Sequence, residues 1–218
     1  VNTARQYKPL CDVFICYSHH SGRSTFLRYL RRDLTLSLQD ELGWRLWQPS
    51  VFFDQVNIPD ERILDADWRT LANSAIDQSL VFIAFVEQHL FGSVGCMHEL
   101  ARLERRMSSP GRIHPDIILI QAESLPDRLA RGIPLSKEEL MRVNPGIRGS
   151  RSRTDQVYTV YQNDHRAAMS VISGRTAVRL DWRQAMHSGR EEEMANTLVA
   201  RLARKIRKHT DSQGHSRL

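Results

Sequence analysis

The segment "SVGCMHEL", residues 93–100, sets Cys96 and Glu99 three positions apart at the head of an apolar helical pattern. That spacing sets one of the chain's three cysteines a single turn before a carboxylate. The carboxylate has two readings. It is a solvated acid near a helix end, or it is a catalytic carboxylate. Cys96 reads first as a buried small hydrophobe rather than a nucleophile. His19 and His20 suggest metal ligation, but no further ligands share a recognisable spacing with them, so no metal is expected. "SGRS" (residues 21–24) holds a single glycine and is no phosphate-cradling loop. Tyr17 and Ser18 end an apolar run, where ligand contact and strand-end packing are equally open. Asp54 ends another run, and shaping the loop behind it is favoured over a hydrogen bond to a ligand.

Positioning these groups requires regular elements around them. "CDVFICYS" (Cys11 to Ser18) is apolar in both phases, as in a strand buried on two faces. Leu27, Leu30, Leu34, Leu38 and Leu42 then recur at helical spacing, with Ser24 as a candidate N-cap and Gly43 as the stop. "SVFFD" (Ser50 to Asp54) is a second strand. A long loop with a proline follows. The next segment carries Trp68, Leu71, Ala72, Ala75 and Ile76 on one helical face. "LVFIAFV" (Leu80 to Val86) is a third buried strand. The helix after it presents Cys96, Leu100, Leu103 and Met107. "DIILIQ" (Asp116 to Gln121) is a fourth strand.

From residue 122 to about 176 the pattern weakens. "SKEELMRV" reads as a short capped helix, and "TDQVYTVYQNDHRAAMSVI" as helix or irregular chain. "TAVRLDW" is a fifth strand. The closing helix has Met194, Leu198, Leu202 and Ile206 in register, acids at its head and bases at its end, as the macrodipole prefers. Strands alternating with amphipathic helices predict one α/β domain over 1–209, an open five-stranded parallel sheet with helices on both faces. An enlarged region at 122–176 and a frayed tail at 210–218 complete it. Ligands of such sheets collect beyond the carboxyl ends of the strands, at the topological switch point.

Bulk properties narrow the function. The chain has 218 residues, 41% hydrophobic and 26% charged, an ordinary globular balance. No apolar run approaches the length of a membrane span, and "VNTARQYKPL" has no signal core. Three cysteines, Cys11, Cys16 and Cys96, without paired spacing suit a reducing, cytoplasmic compartment. The net charge of +6 is spread over helix faces without interleaved aromatics, so no specific nucleic-acid partner is expected. Frequent Arg and Ala suit a GC-rich bacterial genome.

"DVFICYSHHSGRS", "VFFDQVNIPDE…W" and "SVGCMHEL", in that order, resemble the three sequence boxes of the TIR (Toll/interleukin-1 receptor) domain family. The match covers residues 11–121 well and is loose beyond them, apart from the last strand and helix. The resemblance implies the flavodoxin-like TIR fold. It implies one of two functions. One is cleavage of NAD as a substrate at the nicotinamide–ribose bond, by an NAD glycohydrolase or ADP-ribose cyclase in defence or signalling. The other is a non-catalytic adaptor that binds partners homotypically. A less favoured third reading is a nucleoside-processing transferase on a similar sheet.

In the enzymatic members the third-box glutamate is the catalytic carboxylate, and Glu99 falls on it. Tyr17, Ser18, Asp54, Trp68 and Cys96 are then the candidate substrate contacts. The segment Gln55 to Asp67 corresponds to the so-called BB loop, a surface for self-association or another TIR protein. The family often has Trp four residues before the glutamate, where this chain has Gly95. Phe91 and Trp68 are the candidates to supply the missing stacking surface.

Overall fold

A computed structural model describes residues 13–18, 24–41, 51–52, 66–111, 114–121, 124–145, 151–179, 190, 192–193, 196–200 and 202–204. The described elements run β1 (Val13–Cys16), α1 (Ser24–Glu41), β2 (Val51–Phe52), α2 (Ala66–Gln78), β3 (Val81–Val86), α3 (Gln88–Gly92), α4 (Val94–Met107), β4 (Asp116–Gln121), α5 (Asp127–Ala130), α6 (Lys137–Val143), α7 (Arg151–Ile172) and β5 (Val178–Arg179). Residues 196–200 and 202–204 are helical as well.

The five strands form a parallel sheet of order β2-β1-β3-β4-β5. This is the flavodoxin-like doubly wound order, whose switch point lies between β1 and β3. The two inner faces follow from strand alternation. Phe14, Cys16, Phe82, Ala84 and Val86 pack with α2, α4 and α7 on one side. Val13, Ile15, Tyr17, Ile83 and Phe85 pack with Leu30 and Leu34 of α1 and with Leu198 and Leu202 on the other. Every residue of β1 and β3 is buried, as a parallel strand covered on both faces requires.

Three aromatic rings tie β2, β1 and β3. Phe14 stacks on Phe52 of β2 at 5.0 Å and on Phe82 of β3 at 5.1 Å. Arg106 on α4 closes the far end of α2: its Nη1 donates to the carbonyls of Ile76 and Ser79. These are carbonyls a helix end leaves without intrahelical donors, and a guanidinium there also suits the helix dipole. Among the described residues, no helix is long and apolar enough to cross a membrane.

Several expectations meet their elements. β4 occupies Asp116–Gln121 as read. α6 begins with the full capping box, Ser136 and Glu139 bonding reciprocally. "TDQVYTVYQNDHRAAMSVI", open between helix and irregular chain, is helix throughout, within α7. The helix read after β3 is α4, and the Ser93 side chain caps it at the Cys96 amide. Others are corrected. The lead-in between β3 and α4 holds a short helix of its own, α3. Leu71 is not on the core face. It is 45% exposed, because α2 meets the sheet through Ala72, Ala75 and Ile76 and Leu71 stands off that stripe. The last two residues of the expected loop, Ala66 and Asp67, already belong to α2.

Candidate functional site

Glu99 lies in the second turn of α4 and is only 7% exposed. The solvated helix-end reading of this residue is therefore overturned. Its neighbours explain the burial. Cys96, one turn earlier, faces the same way, and Cys16 ends β1 beneath them. The ligand atoms of Cys16, Cys96 and Glu99 all lie within 4.8 Å of one another. The Cys96 thiol donates a hydrogen bond of 3.1 Å to the backbone carbonyl of Tyr17, which fixes α4 to the carboxyl end of β1. Burial pushes the Cys16 thiol well above its ordinary range, and the adjacent Cys96 and Glu99 push it further. At neutral pH Cys16 is a protonated thiol.

This cluster sits at the carboxyl ends of the strands that flank the switch point. Cys16 pairs with Ala84 of β3, two residues before β3 ends. Glu87 follows β3 directly and is 1% exposed. It is a second buried carboxylate on this edge that the sequence reading passed over. The signal was an acid immediately behind an unbroken apolar strand, "VFIAFVE". A shallow depression of about 420 Å³, lined by Met107, His114, Asp116 and Arg175 among others, borders the amino end of β4. It lies at the opposite edge of the sheet from Glu99.

The other expected contacts divide. Ser18 is buried immediately past β1. Tyr17 is buried too, but its ring packs with the face that carries α1, away from Cys16 and Cys96. Its tie to the cluster is its backbone carbonyl. Phe91 does not offer a stacking surface. It is fully buried, its ring 6.1 Å from that of His165. Its carbonyl accepts a 2.9 Å hydrogen bond from the Tyr161 hydroxyl, whose pKa burial raises to about 12. Asp54, His19, His20 and the loop from Gln55 to residue 65 lie outside the described residues, as does the side chain of Trp68.

Behind Glu99, α4 packs on α7 through polar as well as apolar residues. His98 Nδ1 is 3.4 Å from the Asp164 carboxylate. His165 is 2% exposed, and its Nε2 has no hydrogen-bond partner among the described residues. Burial holds its pKa below the ordinary imidazole value. In the unfolded chain His165 takes a proton as pH falls through about 6.5, while the folded protein resists it. Its contribution to stability is therefore complete above that pH and is lost below it. His165→Phe should reduce the difference in denaturation midpoint between pH 7.5 and pH 5.5. Parallel losses in wild type and variant would contradict this assignment.

No family model matches the chain, and no curated protein sequence matches it either. Among solved structures, the chain is similar to the TIR-domain chain of the activated Roq1 resistosome directly recognising the pathogen effector XopQ. The two are 14% identical, with a TM-score of 0.48 over 87% of this chain and 98% of that chain.

Proposed function

We propose that this protein is a TIR-type enzyme that cleaves NAD at the nicotinamide–ribose bond, with Glu99 as its catalytic carboxylate. The observation that carries the reading is the burial of Glu99 at the carboxyl edge of the sheet. A carboxylate is rarely withdrawn from water unless it is partnered or used. This one occupies the third-box position of the family that the sequence resembles.

The chemistry asks little more of the site. Departure of nicotinamide leaves an oxocarbenium-like ribose, which a nearby negative charge stabilises. The same carboxylate can orient the ribose hydroxyls or direct the attacking water or hydroxyl. Ser18 and the Tyr17 backbone stand at the end of β1, where the substrate approaches.

The loop from Gln55 to Asp67 is proposed to dock against a second copy and complete its site. Turnover per molecule should then rise with protein concentration. Nicotinamide release measured over a wide range of chain concentration checks this. A flat rate from a demonstrated monomer contradicts the docking role. An absence of turnover at every concentration favours the adaptor reading.

A further inference from the structure

We propose that Cys16, Cys96 and Glu99 form a binding site for a thiophilic divalent cation of the Zn²⁺ type, and that its occupation silences Glu99. The binding claim stands on geometry alone. The silencing claim rests on the reading of Glu99 as the reacting carboxylate.

Two thiols and a carboxylate converge from two elements, with all three ligand atoms within 4.8 Å of one another and all three residues buried. Around a tetrahedral Zn²⁺, with Zn–S of about 2.3 Å and Zn–O of about 2.0–2.2 Å, neighbouring donors stand roughly 3.5–3.8 Å apart. The cluster needs to contract by at most about 1.0–1.3 Å to meet that geometry. Sulfur donors select Zn²⁺-like ions over Mg²⁺ and Ca²⁺, which prefer all-oxygen shells. Three protein ligands leave a fourth position for water.

Binding displaces one proton from each thiol to solvent and breaks the Cys96 thiol's hydrogen bond to the Tyr17 carbonyl. Because protons are released, this exchange is easier at higher pH. The cation takes up the negative charge that the sugar cation would otherwise meet. NAD cleavage and metal binding at Glu99 are therefore mutually exclusive.

The test uses the full chain, reduced with a phosphine and stripped of metal. Titration with Co²⁺ should give a thiolate-to-cobalt charge-transfer band that saturates at one equivalent and is abolished by Zn²⁺. Cys11→Ser should keep the band. Cys96→Ser and Cys16→Ser should lose it while circular dichroism shows the native fold. Should Cys16→Ser fail to fold, Cys96→Ser decides alone. Glu99→Gln should weaken Co²⁺ at least 10-fold, the lower end of what even outer-shell changes cost. Added Zn²⁺ should inhibit NAD cleavage, and a chelator should restore it.

A folded wild-type chain with no band overturns the site, as does a band that survives in Cys96→Ser. If NAD is cleaved and no band forms, the metal site fails and the enzymatic reading stands. If the band forms as described and NAD is never cleaved, the site stands and the silencing claim falls with the enzymatic reading. Cleavage that persists at saturating Zn²⁺ overturns silencing alone.

Discussion

Glu99→Gln is expected to lower nicotinamide release by about 10²–10⁴-fold, the range spanned by a positioned acid or base in catalysis. The substitution keeps the side chain's volume and removes its charge. Shape matters here because Glu99 is packed beside Cys16 and Cys96 and is nearly inaccessible. Glutamine can still accept and donate hydrogen bonds in that position, so the fold should persist. What it cannot do is offset positive charge on the ribose or take a proton. A large fall in turnover with an unchanged circular dichroism spectrum is the expected pair of results. Wild-type turnover would remove Glu99 from the mechanism.

The largest expected effect on stability comes from Phe14→Ala. Phe14 is 1% exposed and stacks on both Phe52 and Phe82, so one ring joins β2, β1 and β3. Truncating a buried phenylalanine costs about 3–5 kcal/mol, from lost transfer energy and from the cavity left behind. For a domain of this size, each kcal/mol shifts Tm by about 2–4 °C, so a fall of roughly 6–20 °C is expected. Equilibrium denaturation in urea checks it. A loss under about 1 kcal/mol would mean that the neighbouring rings close the gap. Because β1 also carries Cys16 and the end that meets Glu99, residual activity should fall in step with the folded fraction.

The centre of the sheet was readable from sequence because β1 and β3 are buried on both faces. "LVFIAFV" and "DIILIQ" have no polar phase to confuse the pattern, and β3 and β4 follow them closely. α6 was readable because its capping box is local chemistry. α7 was not, and its buried stripe explains why. That stripe includes Tyr161, Asp164, His165, Ala168 and Val171. Two of its five positions are polar, so apolar periodicity understates the helix. The short helix α3 was missed because Leu90, Phe91 and Gly92 are buried without extending the stripe of α4.

The same effect operated at the site. The apolar stripe read on α4 was Cys96, Leu100, Leu103 and Met107, yet Glu99 and Arg106 are buried beside it. Arg106 is accommodated by carbonyl acceptors at the end of α2. Glu99 is accommodated beside Cys16, a residue from a distant strand that no local pattern couples to it. Sequence could place Glu99 near the carboxyl edge of the sheet through the alternation of strand and helix. Its burial and its thiol neighbours required the tertiary structure.

The role of Glu99 is measured most directly as nicotinamide release from NAD by the purified chain at high protein concentration, with Glu99→Gln run in parallel. The wild-type chain should release nicotinamide together with an ADP-ribose product in equal amount, while the variant releases almost none. A folded wild-type chain that leaves NAD intact at every concentration, or a variant as active as wild type, would rule out Glu99-dependent NAD cleavage.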